Sequence, residues 1–185
     1  MPSTSNVSTG KPKVAGAVFC GPLTATMPTT ADATLTGFTE LGYVSEDGVT
    51  NNNSPETENV KAWGGDTVLV LQTEKADTWT FTLIEALNSE VLKAVYGSSN
   101  VTTGTGTISV NATSAMLPDK AYVIDMALKG GAMKRIVIPQ GSISELGEIV
   151  YKDDEAIGYE ITITALPNSS GVTHYEYIKL AASST

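Results

Sequence analysis

Apolar and polar residues alternate with a period of two in several stretches of the chain, which is typical of half-buried antiparallel strands. In "DTWTFTLIEAL" (77–87), one face carries Trp79, Phe81 and Leu83, and the other face carries threonines. "YEITITA" (159–165) alternates in the same way. We therefore expect the apolar faces of these two stretches to line a core.

Shorter apolar runs, bounded by Gly, Pro and Asn, predict further strands. A first buried strand is expected in "VAGAVFCG" (14–21), and others near 38–50, 55–63, 67–73, 107–112, 120–129, 132–140, 143–151, 157–166 and 172–180. The four-residue turn "EKAD" (74–77), between 67–73 and the alternating strand, indicates a hairpin, and "KGG" (129–131) indicates a tight turn between two more strands.

One segment, "NSEVLKAVYG" (88–97), has the pattern of a helix. Asn88 can cap its first turn, Glu90 lies where the helix dipole favours a negative charge, and Gly97 can end it. A single helix at about 89–96, in a chain rich in Thr and Gly, predicts a mainly β fold. We expect an antiparallel β-sandwich or barrel with one flanking α-helix.

A long polar segment, "LGYVSEDGVTNNNSPETENVKAW" (41–63), stands between apolar ends and predicts an extended hairpin loop at about 41–63. Five carboxylates and no Lys or Arg lie between Glu40 and Glu58. Such a polar finger buries little surface in its own subunit and gains contact area only against another copy. The residues expected to make that contact are Val49, Asn51, Asn52, Asn53, Glu56 and Glu58.

The length of 185 residues predicts one β domain at 13–180, preceded by a flexible polar arm (1–12) and followed by a polar tail (181–185). The net charge of −9 opposes tight binding to phosphate backbones. The first residues contain no apolar segment typical of a signal peptide, and no run of about 18 apolar residues could span a membrane. We therefore expect synthesis in a cytosol and no membrane binding.

Residues that could carry chemistry are few, so an enzyme, a cofactor and a metal site are not expected. Cys20 and His174 are the only thiol and the only imidazole. They could form a nucleophile pair, but a core cysteine and a strand-surface histidine are far more plausible. "GTGT" (104–107) lacks the Lys of a phosphate-binding loop, and "KDDE" (152–155) lacks the ligand spacing of a calcium loop.

The densest basic spot lies in "LKGGAMKRIV" and comprises Lys129, Lys134 and Arg135. It could bind nucleic acid, but a docking patch for the acidic finger of another copy is more plausible. Scattered surface charge on a hairpin is about as plausible as that docking patch.

Three stretches together resemble the tail tube proteins (major tail proteins) of long-tailed, non-contractile bacteriophages of the siphovirus type. They are "GAVFCGPLTATMPTTADATL", "GFTELGYVSEDGV" and "KRIVIPQGSISELGEIVYKDDEAIGYEITITALPN". Their order and spacing agree with that family over roughly residues 14–180. None of the three is a catalytic signature, and the resemblance depends on their combination.

The resemblance implies the phage tail tube fold, a β-sandwich or barrel flanked by a helix. It implies a virion protein, made in the cytoplasm of the bacterial host, that forms hexameric rings stacked into a hollow tube for DNA ejection. The six finger residues named above are then expected to make the contacts between rings. The partners implied are further copies of the chain and the tape measure, tail tip and tail terminator proteins, with DNA only in transit. Because an acidic lining repels DNA, the lumen candidates are Glu40, Glu46, Glu145 and Glu148.

Two other functions remain open at this point. A tube protein of a contractile tail or of a secretion system would share the fold and the assembly into stacked rings. A soluble ligand-binding β-sandwich module would instead stay monomeric or dimeric and would use aromatic side chains to line a groove.

Overall fold

The computed structural model describes residues 2–13 and 16–181. Within them lie one α-helix, α1 (Ser89–Tyr96), and three short 3-10 turns (Thr4–Asn6, Ser98–Asn100 and Lys129–Gly131). The strands are β1 (Lys11–Pro12), β2 (Val18–Gly21), β3 (Thr39–Glu40), β4 (Val44–Asn52), β5 (Glu56–Lys61), β6 (Thr67–Glu74), β7 (Thr78–Leu83), β8 (Val101–Gly104), β9 (Thr107–Val110), β10 (Lys120–Ala127), β11 (Met133–Leu146), β12 (Tyr159–Ala165) and β13 (Tyr175–Lys179).

Nine of these strands form one antiparallel sheet in the order β3-β2-β10-β11-β12-β7-β4, with β1 beside β10 and β13 beside β11. The sheet curls until its two ends meet. The Leu41 N–H donates to the Val18 carbonyl on β2 at 2.9 Å, whereas the Tyr43 carbonyl accepts from the Ile84 N–H, just after β7, at 3.0 Å. The three residues 41–43 therefore connect β3 and β4, which are the opposite ends of the strand order.

The apolar faces predicted from the alternation do line the core. Trp79, Phe81 and Leu83 on β7 are buried, and β12 contributes Tyr159, Ile161 and Ile163 from the neighbouring strand. Ile161 lies directly opposite Phe81, and Ile163 opposite Trp79. This mainly β, antiparallel architecture with one helix confirms the fold class predicted from the sequence.

Helix α1 covers this core with one apolar face, formed by Val91, Leu92, Ala94 and Val95. The Asn88 side chain accepts a hydrogen bond from the Glu90 N–H at 2.9 Å and caps the first turn, as predicted. The predicted ending is also present, because the Gly97 N–H donates to the Lys93 carbonyl and Gly97 has a φ of 93°.

Strand β11 replaces two predicted strands. The sequence indicated separate strands at 132–140 and 143–151, but a single strand runs from Met133 to Leu146 with a bulge between Ile143 and Glu145. Its first half pairs with β10 and β13, and its second half pairs with β12. The predicted tight turn at 129–131 connects β10 to β11, with Gly130 at a φ of 75°.

Both predicted hairpins around the polar segment are wrong in their pairing. Strand β6 does not pair with β7; it pairs with β5. The hairpin expected over about 41–63 is divided, because its first strand, β4, joins the main sheet beside β7 while its second strand, β5, joins β6. The physical reason is that β4 turns Val44 and Val49 toward the core, which makes β4 a core strand despite its polar sequence.

Candidate assembly surfaces

Strands β5 and β6 form a two-stranded antiparallel ribbon, called here the β5–β6 ribbon, that is separate from the main sheet. All fourteen residues of the two strands are exposed. The ribbon turns through Ala62–Asp66, where Gly64 and Gly65 have φ values of 120° and 99° that favour glycine. Trp63 lies in this turn and is fully exposed at the tip. An isolated two-stranded ribbon is marginally stable in water, so this one needs further support.

The ribbon displays aliphatic side chains to solvent. Val68, Leu69, Val70 and Leu71 follow one another on β6 and are 44–61% exposed. Leu69 lies opposite Val60 and Leu71 opposite Glu58 on one face, whereas Val70 lies opposite Asn59 on the other face. Exposed aliphatic side chains grouped on both faces of one element mark an interaction site.

The base of the ribbon places two like charges together, since Glu56 lies directly opposite Glu74. Directly opposed like charges destabilise a strand pair. The ribbon carries two further carboxylates, Glu58 and Asp66, against one cation, Lys61. Its surface is therefore both apolar and acidic.

Four of the six residues expected to make contacts between rings lie outside this ribbon. Val49 is half-buried opposite Phe81 on β7, and Asn52 ends β4 in the main sheet. Asn51 donates to the carboxylate of Asp77 at 2.8 Å. Asn53 is half-buried just after β4, and only Glu56 and Glu58 stand on the ribbon. An exposed protrusion was predicted correctly, but it lies further toward the C-terminus, at 56–74, than the sequence indicated.

The outer face of the strands β11, β12, β7 and β4 is polar in every row that crosses it. One row runs Glu145–Thr162–Thr80–Thr50, and the next runs Ser142–Thr164–Thr78–Asn52. The hydroxyls of Thr80 and Thr162 lie 3.0 Å apart. This face, which includes Glu160 opposite Thr82, is called here the hydroxyl face.

The four lumen candidates are all exposed, but they do not share one surface. Only Glu145 belongs to the hydroxyl face. Glu46 lies in the irregular stretch of β4 between Val44 and Val49, Glu40 lies on β3 at the other end of the strand order, and Glu148 follows the end of β11. Glu160 was missed from the sequence, although its position in the alternating "YEITITA" already put it on the face opposite the core.

The predicted basic docking patch is wrong for Arg135, which is only 1% exposed. Its guanidinium is paired with the buried carboxylate of Asp125 and cannot present a charge to a partner. Lys134 pairs with Glu176 at 2.8 Å, and only Lys129 of the three is an exposed cation at the turn. A buried guanidinium needs a counter-charge, and the residue directly opposite across the hairpin supplies it.

The two candidate nucleophile residues serve separate parts of the fold. Cys20 is buried on β2, and burial raises the pKa of its thiol, which disfavours the reactive thiolate. His174 precedes β13, where its Nδ1 bonds the carboxylate of Asp77 and its ring meets Trp79 edge to face at 5.2 Å. The structure gives His174 a packing role at the base of β7 and not the place on a strand surface expected from the sequence.

The carboxylate of Asp77, just before β7, is hydrogen-bonded to three side chains. Burial raises the pKa of its carboxyl, but hydrogen bonds from Thr173, His174 and Asn51 outweigh it and leave the pKa below the ordinary value. Across residues 2–13 and 16–181, no group of three or more His, Cys, Asp or Glu side chains is placed to hold a metal ion. No helix among these residues is long and apolar enough to cross a membrane.

Comparison with known proteins finds a matching family and similar solved structures. The family described as phage tail tube protein matches residues 10–184, nearly the whole chain. Among solved structures, the chain is similar to the anti-feeding prophage cap, a tube terminating cap determined by cryo-electron microscopy. The TM-score is 0.42 at 8% identity, over 97% of this chain and 100% of that chain. A comparison with curated proteins finds no similar sequence.

The chain therefore belongs to the phage tail tube protein family. It is a structural protein of a phage tail and not an enzyme, and its place is in the virion.

Proposed function

We propose that this chain polymerises as stacked hexameric rings that form the tube of a non-contractile phage tail, through which DNA is ejected into the host. The observation that carries the proposal is the β5–β6 ribbon, whose fourteen strand residues are all exposed and include four consecutive aliphatic side chains. A soluble monomer has no use for such a surface, whereas a repeating contact between copies covers it in every subunit.

Stacking in this proposal is a head-to-tail contact. A heterologous contact between a protruding element and a different surface on the next copy generates a ring if the rotation closes and an open filament if it does not. The ribbon is a protruding element of this kind. Synthesis in the host cytoplasm and contacts with the tape measure, tail tip and tail terminator proteins are part of the same proposal.

The hydroxyl face is the best candidate for the lumen. Threonine hydroxyls carry no positive charge that would bind the DNA phosphates and no apolar surface that would hold the bases. The carboxylates of Glu145 and Glu160 repel the phosphates. Because duplex DNA carries one charge per ~1.7 Å, a basic lining would retain it by counterion release, whereas an acidic lining lets it slide. Glu40, Glu46 and Glu148 remain candidates for the lumen through the packing of neighbouring copies.

Assembly can be tested with the purified chain, alone or with tail initiator proteins, by electron microscopy and by particle mass at rising concentration. We expect rings or tubes from the wild type. In a matched variant, residues 57–73 are replaced by two glycines that join the opposed residues Glu56 and Glu74. This variant should keep the melting temperature of the monomer and lose the tubes.

Each outcome separates the candidate functions. A wild type that stays monomeric or dimeric at every concentration, with and without initiator, contradicts the tube proposal and favours a ligand-binding module. Tubes from the variant that lacks the ribbon contradict the role of the ribbon. Sheathed, contracting tails in the source particle would identify a contractile tail instead.

A further inference from the structure

We infer that the β5–β6 ribbon is buried on both of its faces in the assembled tube, as a layer inserted between two other copies of the chain. This inference rests on the proposed tube function and goes beyond it, because a docking ribbon needs only one covered face. It follows from a mismatch between the sequence of β6 and the burial of β6 in the single chain.

The sequence of β6 is that of a strand covered on both sides. A strand with one wet face alternates apolar and polar residues, as β7 does with Trp79 and Phe81 separated by Thr80. Strands covered on both faces instead read as continuous apolar runs. The run Val68–Leu71 is continuous, yet none of its side chains is buried in the chain itself.

The strand pairing assigns these side chains to opposite faces. Leu69 and Leu71 stand with Val60 on one face, and Val70 stands with Asn59 on the other. A partner that covered only the face with Leu69 and Leu71 would leave Val70 in water, where it is 56% exposed at present. Both sets of aliphatic side chains leave water only if each face is covered.

The areas lead to the same conclusion. Eight residues at about 3.4 Å each make β6 about 27 Å long, and two strands are about 10 Å wide, so one face covers about 270 Å². Counting both partners, one covered face buries about 540 Å², which is the size of a crystal contact, while two faces approach about 1,100 Å² and the lower end of specific interfaces.

Other copies of the same chain are the occupants that this geometry favours. The main sheet curls around its own core and offers its outer surface, so one copy packed on each face of the ribbon covers both faces. A ring-and-stack polymer supplies these copies without any other protein, because every subunit has a neighbour beside it and a neighbour above it.

Thiol labelling tests the two faces separately. Val70→Cys places a thiol on one face, and Leu71→Cys places one on the other. The native Cys20 gives a low background because its thiol is buried and its raised pKa disfavours the thiolate. Each variant is mixed as a minor fraction into wild-type protein, so that tubes can grow even if the variant alone cannot form them. The rate of reaction with a small thiol reagent is compared in tubes and in unassembled chain.

We expect both thiols to react at least about tenfold more slowly in tubes, because reaction then requires local opening of the assembly. If either thiol keeps the rate of the unassembled chain, the two-sided burial is wrong although the tube function stands. If wild-type protein forms no tubes, either alone or with tail initiator proteins, the tube function itself fails. A density map of wild-type tubes gives the same answer without substitutions. Protein atoms must lie within about 4.5 Å of Val70 and also of Leu71, and solvent against either one overturns the inference.

Discussion

The guanidinium of Arg135 donates two hydrogen bonds to the carboxylate of Asp125, from Nε at 2.6 Å and from Nη2 at 2.7 Å, inside the protein. Its remaining nitrogen, Nη1, donates to the backbone carbonyls of Thr30 and Ala33 at 3.2 and 2.6 Å. One side chain thus joins neighbouring strands, β10 and β11, to the long loop between β2 and β3. Its role is to fasten that loop to the sheet.

Removing one partner of this pair should be strongly destabilising. Arg135→Met removes the two short hydrogen bonds to the buried Asp125 carboxylate and leaves it only the more distant Lys13 Nζ, at 3.8 Å. We expect a loss of about 3–5 kcal/mol in the free energy of unfolding measured with urea. Arg135→Met combined with Asp125→Leu should lose less than Arg135→Met alone, because no isolated charge is left. The exposed pair Lys152–Glu155 is the control, and Lys152→Ala should change stability by less than about 1 kcal/mol. Equal losses at the two sites would contradict the buried role of Arg135.

Truncation of the core aromatic on β7 tests the predicted alternation directly. Phe81 is 2% exposed, and Phe81→Ala should cost about 3–5 kcal/mol of unfolding free energy through lost burial and the cavity left behind. Thr82→Ala, one residue further on the opposite face, should cost less than about 1 kcal/mol. A cost for Phe81→Ala below that of the threonine control would show that the core lies on the other face.

Acid should weaken the fold through Asp77. Its folded pKa lies below the unfolded value of about 3.9, so its contribution is complete above the unfolded pKa and is lost as the pH falls through the folded pKa. We expect wild-type stability, measured by urea unfolding, to fall more steeply below about pH 4 than that of Asp77→Asn.

High salt should distinguish the buried carboxylate of Asp77 from the exposed carboxylate of Asp32. The hydrogen bond from Lys179, followed by that from Thr30, lowers the pKa of Asp32 to about 2, but Asp32 is exposed. High salt should therefore remove the contribution of Asp32 and preserve that of Asp77. Identical acid slopes for wild type and Asp77→Asn would show that the Asp77 cluster has no electrostatic role.

Charge reversal on the hydroxyl face should slow DNA passage without preventing assembly. Glu145→Lys with Glu160→Lys puts two cations per subunit where the proposed lumen lies, and each bound phosphate then has to release its contact as DNA moves. Assembled particles should eject DNA several-fold more slowly, or not at all, in low salt. Asp153→Lys with Asp154→Lys makes the same charge change in an exposed turn and should leave ejection at the wild-type rate. Unchanged ejection from the first variant would exclude this face as the lumen. Glu145→Lys with Glu148→Lys tests the pair chosen from the sequence in the same way.

Several features of this protein follow from the sequence alone, because they depend on local periodicity and local capping. The period of two in "DTWTFTLIEAL" and "YEITITA" placed Trp79, Phe81 and Ile161 in the core. Asn88 and Gly97 bounded the helix, because caps act within one turn. The family could also be inferred from the sequence, because the three quoted stretches resemble it whether or not the strand pairing is known.

One error at the site could have been avoided with the sequence alone. Once "KGG" is taken as the turn of a hairpin, counting back from it brings Asp125 opposite Arg135. Opposite charges that face each other on neighbouring buried strands form a pair. The burial of Arg135 was thus encoded in the register of a hairpin that the sequence had correctly predicted.

Strand partners were decided only by the tertiary structure. A period of two tells which side chains share a face, but it does not tell which strand lies alongside. The short connection from 67–73 to 77–87 favoured a hairpin, yet β7 is held between β4 and β12, and β6 is left to pair with β5. Four consecutive aliphatic residues thereby came to lie in solvent, because the positions beside β7 are filled by strands from distant parts of the chain.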